Sequence, residues 1–319
     1  MPVLLAAHLA YAQYTEVINS NRPGVSKAAF AVGANVLQFE VGPYILREER
    51  SPVPSNEVNG FGADFAARYG LFFEQLEINV EGIYQNDTKT TFSPSGFSVE
   101  DERANFKNLT VGAKYLVFDP YKNSENEKPN LYSYHANFGF KWRDLIPAVA
   151  VYAGANYDTS ENPYTAPGVE GFSPKAMVAT QNNFPSGWVL VTNLIFDKIG
   201  TDFSEFQYLL TLTYSFSPQW VVFGETQGIK SDFYADNLFR FGGAYLWSRD
   251  FQLDTALTFN TKDTPSVLSV NFGASYRFDF HKDKEIDNNN SIQDADGKKK
   301  RKKKGKKKLV NDFDDDGTQ

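Results

Sequence analysis

Apolar and polar residues alternate strictly along residues 269–280 of this chain. The even positions from Val270 to Phe280 are apolar or aromatic, whereas the odd positions from Ser269 to Asp279 are polar or small. Because side chains on a strand point alternately to its two faces, this pattern predicts a β-strand with one apolar and one polar face. A single strand of this kind fits either a soluble sandwich or a membrane-spanning barrel.

The same alternation recurs along the chain in segments of about ten residues, which is the usual length of a transmembrane β-strand. We count twelve such segments: 35–46, 60–69, 74–85, 108–117, 147–157, 174–182, 188–197, 205–216, 219–228, 237–247, 250–260 and 269–280. The repetition favours a barrel over a sandwich. No window of about 18 apolar residues occurs, so the sequence predicts no transmembrane helix.

The connections between these segments alternate in length. Four are tight and flanked by aromatic residues: Tyr69 to Phe72, Phe184 to Trp188, Phe216 to Trp220 and Trp247 to Phe251. The intervening ones are mostly longer and polar: 47–59, 86–104, 158–173, 198–204, 229–236 and 261–266. Aromatic rings favour the membrane–water boundary, and short periplasmic turns opposite longer loops are typical of bacterial outer-membrane barrels.

The sequence therefore predicts an all-β fold, a transmembrane antiparallel up-and-down barrel of about twelve strands over residues 34–280. An even strand number would leave both termini in the periplasm. One connection, 118–146, is long although it falls on the side of the tight turns. Within it, residues 131–142 could form another strand pair, so a barrel of fourteen strands is the alternative.

The two ends of the chain differ from the barrel. Residues 1–12 resemble a signal peptide or its remnant, since Ala10-Tyr11-Ala12 before Gln13 fits a cleavage site. Residues 13–33 are polar and precede the first strand, so we expect them to form a periplasmic or plug segment. The chain contains no cysteine, which excludes disulfides and cysteine-based metal sites.

Residues 281–319 show no periodicity and are expected to be a disordered periplasmic tail. The tail contains a polybasic run: Lys298, Lys299, Lys300, Arg301, Lys302, Lys303, Lys304, Lys306, Lys307 and Lys308. In a barrel protein such a run is better suited to an anionic surface or an acidic periplasmic partner than to nucleic acid, so no nucleic-acid partner is expected. The other reading is a solvated tail that neutralises its own charge.

Strand parity assigns charged residues of both signs to the lumen. The candidates are Glu40, Asp64, Arg68, Glu77, Glu81, Lys114, Glu205, Glu225, Arg240, Asp254 and Arg277. These side chains either form a network of ion pairs that fills the lumen or leave a narrow path through it. We expect a largely occluded lumen.

Little in the sequence points to catalysis. The three histidines, His8, His135 and His281, lack the partners of a nucleophilic triad, although His135 lies two residues from Ser133. No cluster of ligand side chains has metal spacing, and no glycine-rich loop precedes a helix. We therefore expect no enzyme activity, no cofactor and no metal.

Asn21-Arg22-Pro23-Gly24, with Asn19-Ser20 before it, resembles the entry motif of one set of outer-membrane barrels. Together with the runs 34–40 and 111–115, it is similar to the transporter-like family named for the meta-pathway of phenol degradation, in the form found in Bacteroidota. The resemblance covers about residues 15–280. It implies an outer-membrane barrel associated with uptake or export of small, often hydrophobic compounds.

Two functions follow as hypotheses. The first is passive transport of small, in part hydrophobic, molecules through the lumen or a lateral gap of an outer-membrane barrel. The alternative is a non-conducting accessory subunit of a larger outer-membrane or secretion complex, docked in part through the polybasic tail. Outer-membrane lipid is the expected partner in both, with other outer-membrane or periplasmic proteins reached through the tail.

Overall fold

In a computed structural model of this protein, residues 17–51, 55–122, 140–165, 169–232 and 234–280 are described. The chain forms one closed barrel in which each strand pairs with its neighbours in sequence and the last pairs with the first. The predicted signal peptide, His135, most of 131–142 and the whole of 281–319 lie outside the described residues, so the predictions made for them stay predictions.

Twelve antiparallel strands build the barrel, which confirms the predicted fold class. They are β1 Val36–Arg50, β2 Ser55–Gly70, β3 Leu76–Phe92, β4 Ser98–Phe118, β5 Ala148–Asp158, β6 Gly171–Phe184, β7 Trp188–Asp197, β8 Glu205–Ser215, β9 Trp220–Ser231, β10 Ala235–Ser248, β11 Phe251–Asn260 and β12 Ser266–Asp279. Two short 3-10 helices, Trp142–Leu145 and Pro185–Gly187, lie in connections at one end. We call that end, where β1 begins and β12 ends, the turn end, and the opposite end the loop end.

The alternative of fourteen strands is wrong. β4 pairs directly with β5, from Thr110↔Asn156 to Phe118↔Val149. Because every strand of the closed sheet already has two neighbours, the connection after β4 can add no strand between them. The alternation in 131–142 had suggested a pair, but its last residue, Trp142, starts a 3-10 helix.

The long loop predicted over 86–104 is also wrong. β3 and β4 stay paired as far as Phe92↔Ser98, and only 93–97 turns. β1 and β2 likewise extend into 47–59 and leave only 51–54 between them. Beyond the apolar band both faces of a strand meet water, so backbone pairing continues although the alternation of side chains has stopped.

The two faces of the wall differ as the alternation predicted. On β8, Leu210 and Leu212 are each 43% exposed on the outer face, whereas Thr211 between them is 5% exposed and faces inward. An apolar outer face on a closed sheet without free edges is the structure of an outer-membrane β-barrel. Among the described residues, no helix is long and apolar enough to cross a membrane.

The seam between β1 and β12 contains a short interruption. Pairing runs from Val36↔Asp279 to Val41↔Ala274 and resumes at Tyr44↔Asn271. Between these pairs lies Gly42-Pro43, and a proline has no backbone N–H to donate to the neighbouring strand. A backbone carbonyl of β12 therefore remains available there for another donor.

Candidate functional site

Residues 17–35, which we call the N-terminal segment, run inside the barrel. Backbone hydrogen bonds tie the segment to the wall near its two ends, from the Ile18 N–H to the Arg249 carbonyl (2.8 Å) and from the Asn35 N–H to the Gly70 carbonyl (3.0 Å). Both contacts are at the turn end, so the segment enters the lumen there and returns. Between them its contacts with the wall involve side chains.

Arg22 is the anchor of the segment. Its guanidinium donates two hydrogen bonds to Asp254, from Nε (3.2 Å) and Nη2 (3.1 Å), and forms an ion pair with Asp64. Nη2 also donates to the carbonyl of Phe272 (3.4 Å), opposite the proline of the seam. Arg22 is 8% exposed. This one side chain therefore joins β2, β11 and β12 across the seam between β1 and β12.

Two glycines make room for this guanidinium. A Cβ added at Gly42 on β1 or at Gly273 on β12 would overlap Arg22 side-chain atoms. The Arg22 carbonyl in turn accepts a hydrogen bond from the Gln252 side chain (3.1 Å). The wall is thus shaped to hold Arg22. The arginine of the entry motif requires small residues at positions 42 and 273, which lie on two different strands.

A second network lies beside the N-terminal segment towards the turn end. Arg68 donates to both carboxylate oxygens of Glu77 (2.9 Å each) and to Glu40 (3.1 Å). Lys114 lies 3.4 Å from Glu77 and donates to the carbonyls of Ala28 and Phe30 (2.9 and 3.0 Å). All four charged side chains are almost fully buried. Each of these buried side chains has a partner of opposite charge within the network.

Glu225 holds the segment from a third side. Its carboxylate accepts hydrogen bonds from the backbone N–H groups of Val25 (3.2 Å) and Ser26 (3.1 Å) and from the Thr211 hydroxyl (2.7 Å). It also pairs with Arg240 at 2.9 Å. Because one carboxylate binds both the wall and the segment, it fixes the height of the segment in the lumen.

Lys27 links the segment to Glu81, a predicted lumen residue, and through it to Lys175 and Asp197, which the sequence reasoning missed. Its ammonium lies 2.6 Å from Glu81, and its backbone exchanges hydrogen bonds with the Asn193 side chain. Lys175 lies between Glu81 (3.9 Å) and Asp197 (3.5 Å). The available signal for Lys175 was a single lysine at an inward position of the weakly alternating segment 174–182.

The opposite side of the segment packs on an apolar part of the lumen wall. Ala29 lies in a buried cluster with side chains of β4 to β8, and Phe30 packs against that cluster. The other buried members of this cluster are Leu116, Ala148, Ala150, Tyr152, Met177, Ala179, Ile195 and Leu209. The lumen is therefore amphipathic, with an apolar patch on β4 to β8 next to the charge networks.

Two cavities lie in the lumen on either side of the segment. The loop-side cavity has a volume of about 200 Å³, and the turn-side cavity about 280 Å³. Residues 21–24 line both of them. The entry motif is thus the partition between the two cavities, which makes it the candidate functional site.

The structure brings most of the predicted lumen residues to this site. Glu40, Asp64, Arg68, Glu77, Glu81, Lys114, Glu225, Arg240 and Asp254 all take part in the contacts above. Arg277 instead lies at the turn end, where it pairs with Asp250 (2.9 Å), and Glu205 accepts a hydrogen bond from Gln207. Their part in transport stays a prediction.

Within the described parts of the chain, no group of three or more histidine, cysteine or acidic side chains could hold a metal ion. The expectation that the protein is neither an enzyme nor a cofactor-binding protein remains an expectation.

A family model described as "Putative MetA-pathway of phenol degradation" matches residues 20–278. The chain belongs to this family. The match begins at the N-terminal segment and ends within β12, so it includes the partition as well as the wall. An origin in Bacteroidota stays a prediction. No curated protein sequence matches the chain.

Solved structures with a similar fold include three outer-membrane proteins. An outer membrane channel from Pseudomonas putida F1 is 12% identical, with a TM-score of 0.48, and the match covers 82% of this chain and all of that one. A mutant of the TodX monoaromatic hydrocarbon channel is 10% identical (TM-score 0.45, covering 79% and 92%). The KdgM porin is 9% identical (TM-score 0.44, covering 75% and 99%).

Proposed function

We propose that this protein is a passive outer-membrane channel for small molecules and that the N-terminal segment controls passage through its lumen. The observation that carries the proposal is the pair of cavities separated by residues 21–24. A solute that crosses the barrel along its axis has to pass this partition. The family's description, which concerns phenol degradation, agrees with small organic solutes.

The way in which the segment is held supports a movable partition. Between its ends, it is fixed by side-chain ion pairs and hydrogen bonds, above all those of Arg22, Lys27 and Glu225. A segment that added a strand to the sheet would instead be fixed by a ladder of backbone bonds. Side-chain contacts can be exchanged for water one at a time, so the segment can shift without opening the wall.

The loop-side cavity also suits solutes that are in part apolar. Val25, Ile195 and Leu209 line it together with charged side chains. Binding pockets for small organic molecules typically combine an apolar lining with a few polar groups. We therefore place amphipathic molecules among the solutes.

We further propose that the turn end faces the periplasm. Val36 and Asp279 pair with each other, so both ends of the barrel chain lie at the turn end. Short periplasmic turns are the rule in bacterial barrels. An epitope at the C-terminus should stay inaccessible to antibody in intact cells and become accessible once the outer membrane is permeabilised. Labelling of intact cells would contradict this orientation.

Single-channel recording in planar bilayers tests the channel itself. Replacement of Arg22 by leucine removes its ion pairs with Asp64 and Asp254, and deletion of residues 19–26 removes the partition. Both should raise the conductance above that of the unmodified protein, the deletion more than the substitution. Arg47→Gln is the matched control, because Arg47 is an exposed arginine that pairs with Glu49 outside the lumen. Near-zero conductance in all forms would reject the channel and favour the accessory-subunit alternative.

A further inference from the structure

A third cavity of about 210 Å³ lies inside the barrel at the loop end, and we call it the mouth cavity. Inward residues of β1, β2, β3 and β4 line it, and Tyr164 of the connection between β5 and β6 covers it. It has room for about seven water molecules at about 30 Å³ each, or for one six-membered ring. It is separate from the two cavities beside the partition.

Four cations line the mouth cavity: Arg50, Lys89, Arg103 and Lys107. Only Arg103 forms an ion pair within the described residues, with Asp87 at 2.6 Å. The stretches 52–54, 166–168 and 233 of the sequence contain no acidic residue. Glu48 is the one carboxylate in the described lining, so positive charge is in excess.

The cover of the cavity is fixed in place. The Tyr164 hydroxyl is 3.1 Å from the carbonyls of Gln85 and Arg103, and the Asn162 side chain donates to the Phe106 carbonyl (2.8 Å). The Tyr164 ring also lies 5.1 Å from the Arg103 guanidinium. These contacts tie the connection to β3 and β4, so the cavity is formed before any ligand arrives.

A further observation points to a ligand with hydroxyl groups. Asn56 lines the cavity, and its buried Oδ1 has no hydrogen-bond partner within the described residues. A buried acceptor without a partner costs free energy, and rotation of the Asn56 amide group towards the cavity would let a ligand O–H or N–H satisfy it. The lining thus offers cations for an anionic group and an acceptor for a hydroxyl.

We propose that the mouth cavity binds a small polar organic anion, one that carries a carboxylate or phosphate group together with hydroxyl groups and is about the size of a sugar ring. Lys89, Lys107 and Arg50 attract the anionic group, and Asn56 accepts a hydrogen bond from a hydroxyl. Because the cavity opens inside the barrel, the ligand is a solute and not a lipid headgroup. The inference deepens the proposed function by naming a class of solute.

Equilibrium binding to the full-length protein in detergent tests the proposal without requiring a current. Glucuronate and glucose 1-phosphate should bind, and the neutral glucose should bind at least about tenfold more weakly, a difference of about 1.4 kcal/mol. High salt should weaken the binding of the anions. Equal affinity for glucose and glucuronate, or no binding of either anion, would overturn the proposal.

Variants locate the site. Lys89→Gln and the double variant Lys89→Gln/Lys107→Gln should lower glucuronate affinity, the double variant by about tenfold or more. Arg47→Gln, which removes an outward arginine from the same end, should leave affinity unchanged, and an equal loss there would overturn the assignment. Displacement of glucuronate by lipid A in the micelles would show that the cavity takes a lipid phosphate and would overturn the solute proposal. Absence of current alone would reject the channel but not the binding site.

Discussion

The middle of the lumen and its mouth differ in whether their cationic side chains have carboxylate partners. In the middle, from the N-terminal segment towards the turn end, Arg22, Arg68 and Lys114 all have carboxylate partners and are buried. At the mouth, Lys89 and Lys107 line a cavity without forming an ion pair among the described residues. The same residue types therefore have different roles, cross-linking in the middle and attraction of solutes at the mouth.

Burial explains this difference. A charge that is removed from water without a partner costs several kcal/mol, so the middle of the lumen tolerates charges only in pairs. An exposed cation at the mouth keeps its hydration and loses little without a partner. The comparison therefore predicts a gradient of mutational cost along the barrel axis, and the following four measurements test it from the largest expected effect to the smallest.

Arg68→Met should have the largest effect on stability. It leaves the carboxylates of Glu40 and Glu77 buried with too few partners, which costs about 3–5 kcal/mol. The measurement is urea unfolding of the barrel in lipid vesicles, with Lys107→Met as the matched control at the mouth. Equal destabilisation by both variants would remove the distinction between middle and mouth.

Leu210→Lys tests whether the outer face of the wall contacts lipid, in contrast to the charged inner face. Leu210 is on the outer face near mid-height, where a lysine should cost about 2–4 kcal/mol. The same unfolding assay applies, and Leu210→Met serves as the control for loss of shape. A cost below about 1 kcal/mol would place this residue outside the hydrocarbon region.

Thr211→Val sharpens the comparison on the inner face of the same strand. The substitution keeps the shape but removes the hydroxyl that donates to Glu225 (2.7 Å). A hydrogen bond to a charged group contributes about 1.5–3 kcal/mol, so we expect a loss of that size. Thr213→Val, farther from Glu225, is the control, and no difference between the two variants would contradict the role of Glu225.

Lys107→Gln should have the smallest effect on stability, within about 0.5 kcal/mol, as surface substitutions usually do. Its unfolding free energy should also change little with salt relative to the unmodified protein, because no ion pair is lost. A loss above about 1 kcal/mol would show that Lys107 stabilises the barrel and would weaken its assignment to ligand binding.

The sequence was sufficient to predict the strands of the wall and their two faces. It was insufficient to predict the contacts between side chains inside the lumen. Alternation such as that of Phe206 to Leu212 depends only on near neighbours, so it identified the strands and their two faces. The bond between Arg22 and Asp254 joins residues far apart in the chain. Parity assigns a residue to the lumen, but strand tilt and stagger decide its height, and a single sequence does not contain them.

The mouth cavity was missed for a related reason. Lys89 and Arg103 lie in the stretch that was predicted to be a loop, because alternation disappears where both faces of a strand are wet. Lys107 lies at a bulge in β4, where the register shifts opposite Ile83 and Tyr84. An extra residue in a strand reverses the inward or outward assignment of the residues beyond it. Counting along β4 from the membrane band could therefore not assign the face of Lys107.

The arginine across the seam also has a consequence for the assembly of the barrel. Arg22 reaches the Phe272 carbonyl on β12 beside the proline of β1, and it pairs with Asp64 and Asp254 on the strands next to these two. This set of contacts is complete only when the first strand has met the last. Seating the segment and closing the ring are therefore thermodynamically coupled, and by reciprocity the seated segment stabilises the closed ring by the same free energy by which the closed ring stabilises the seated segment.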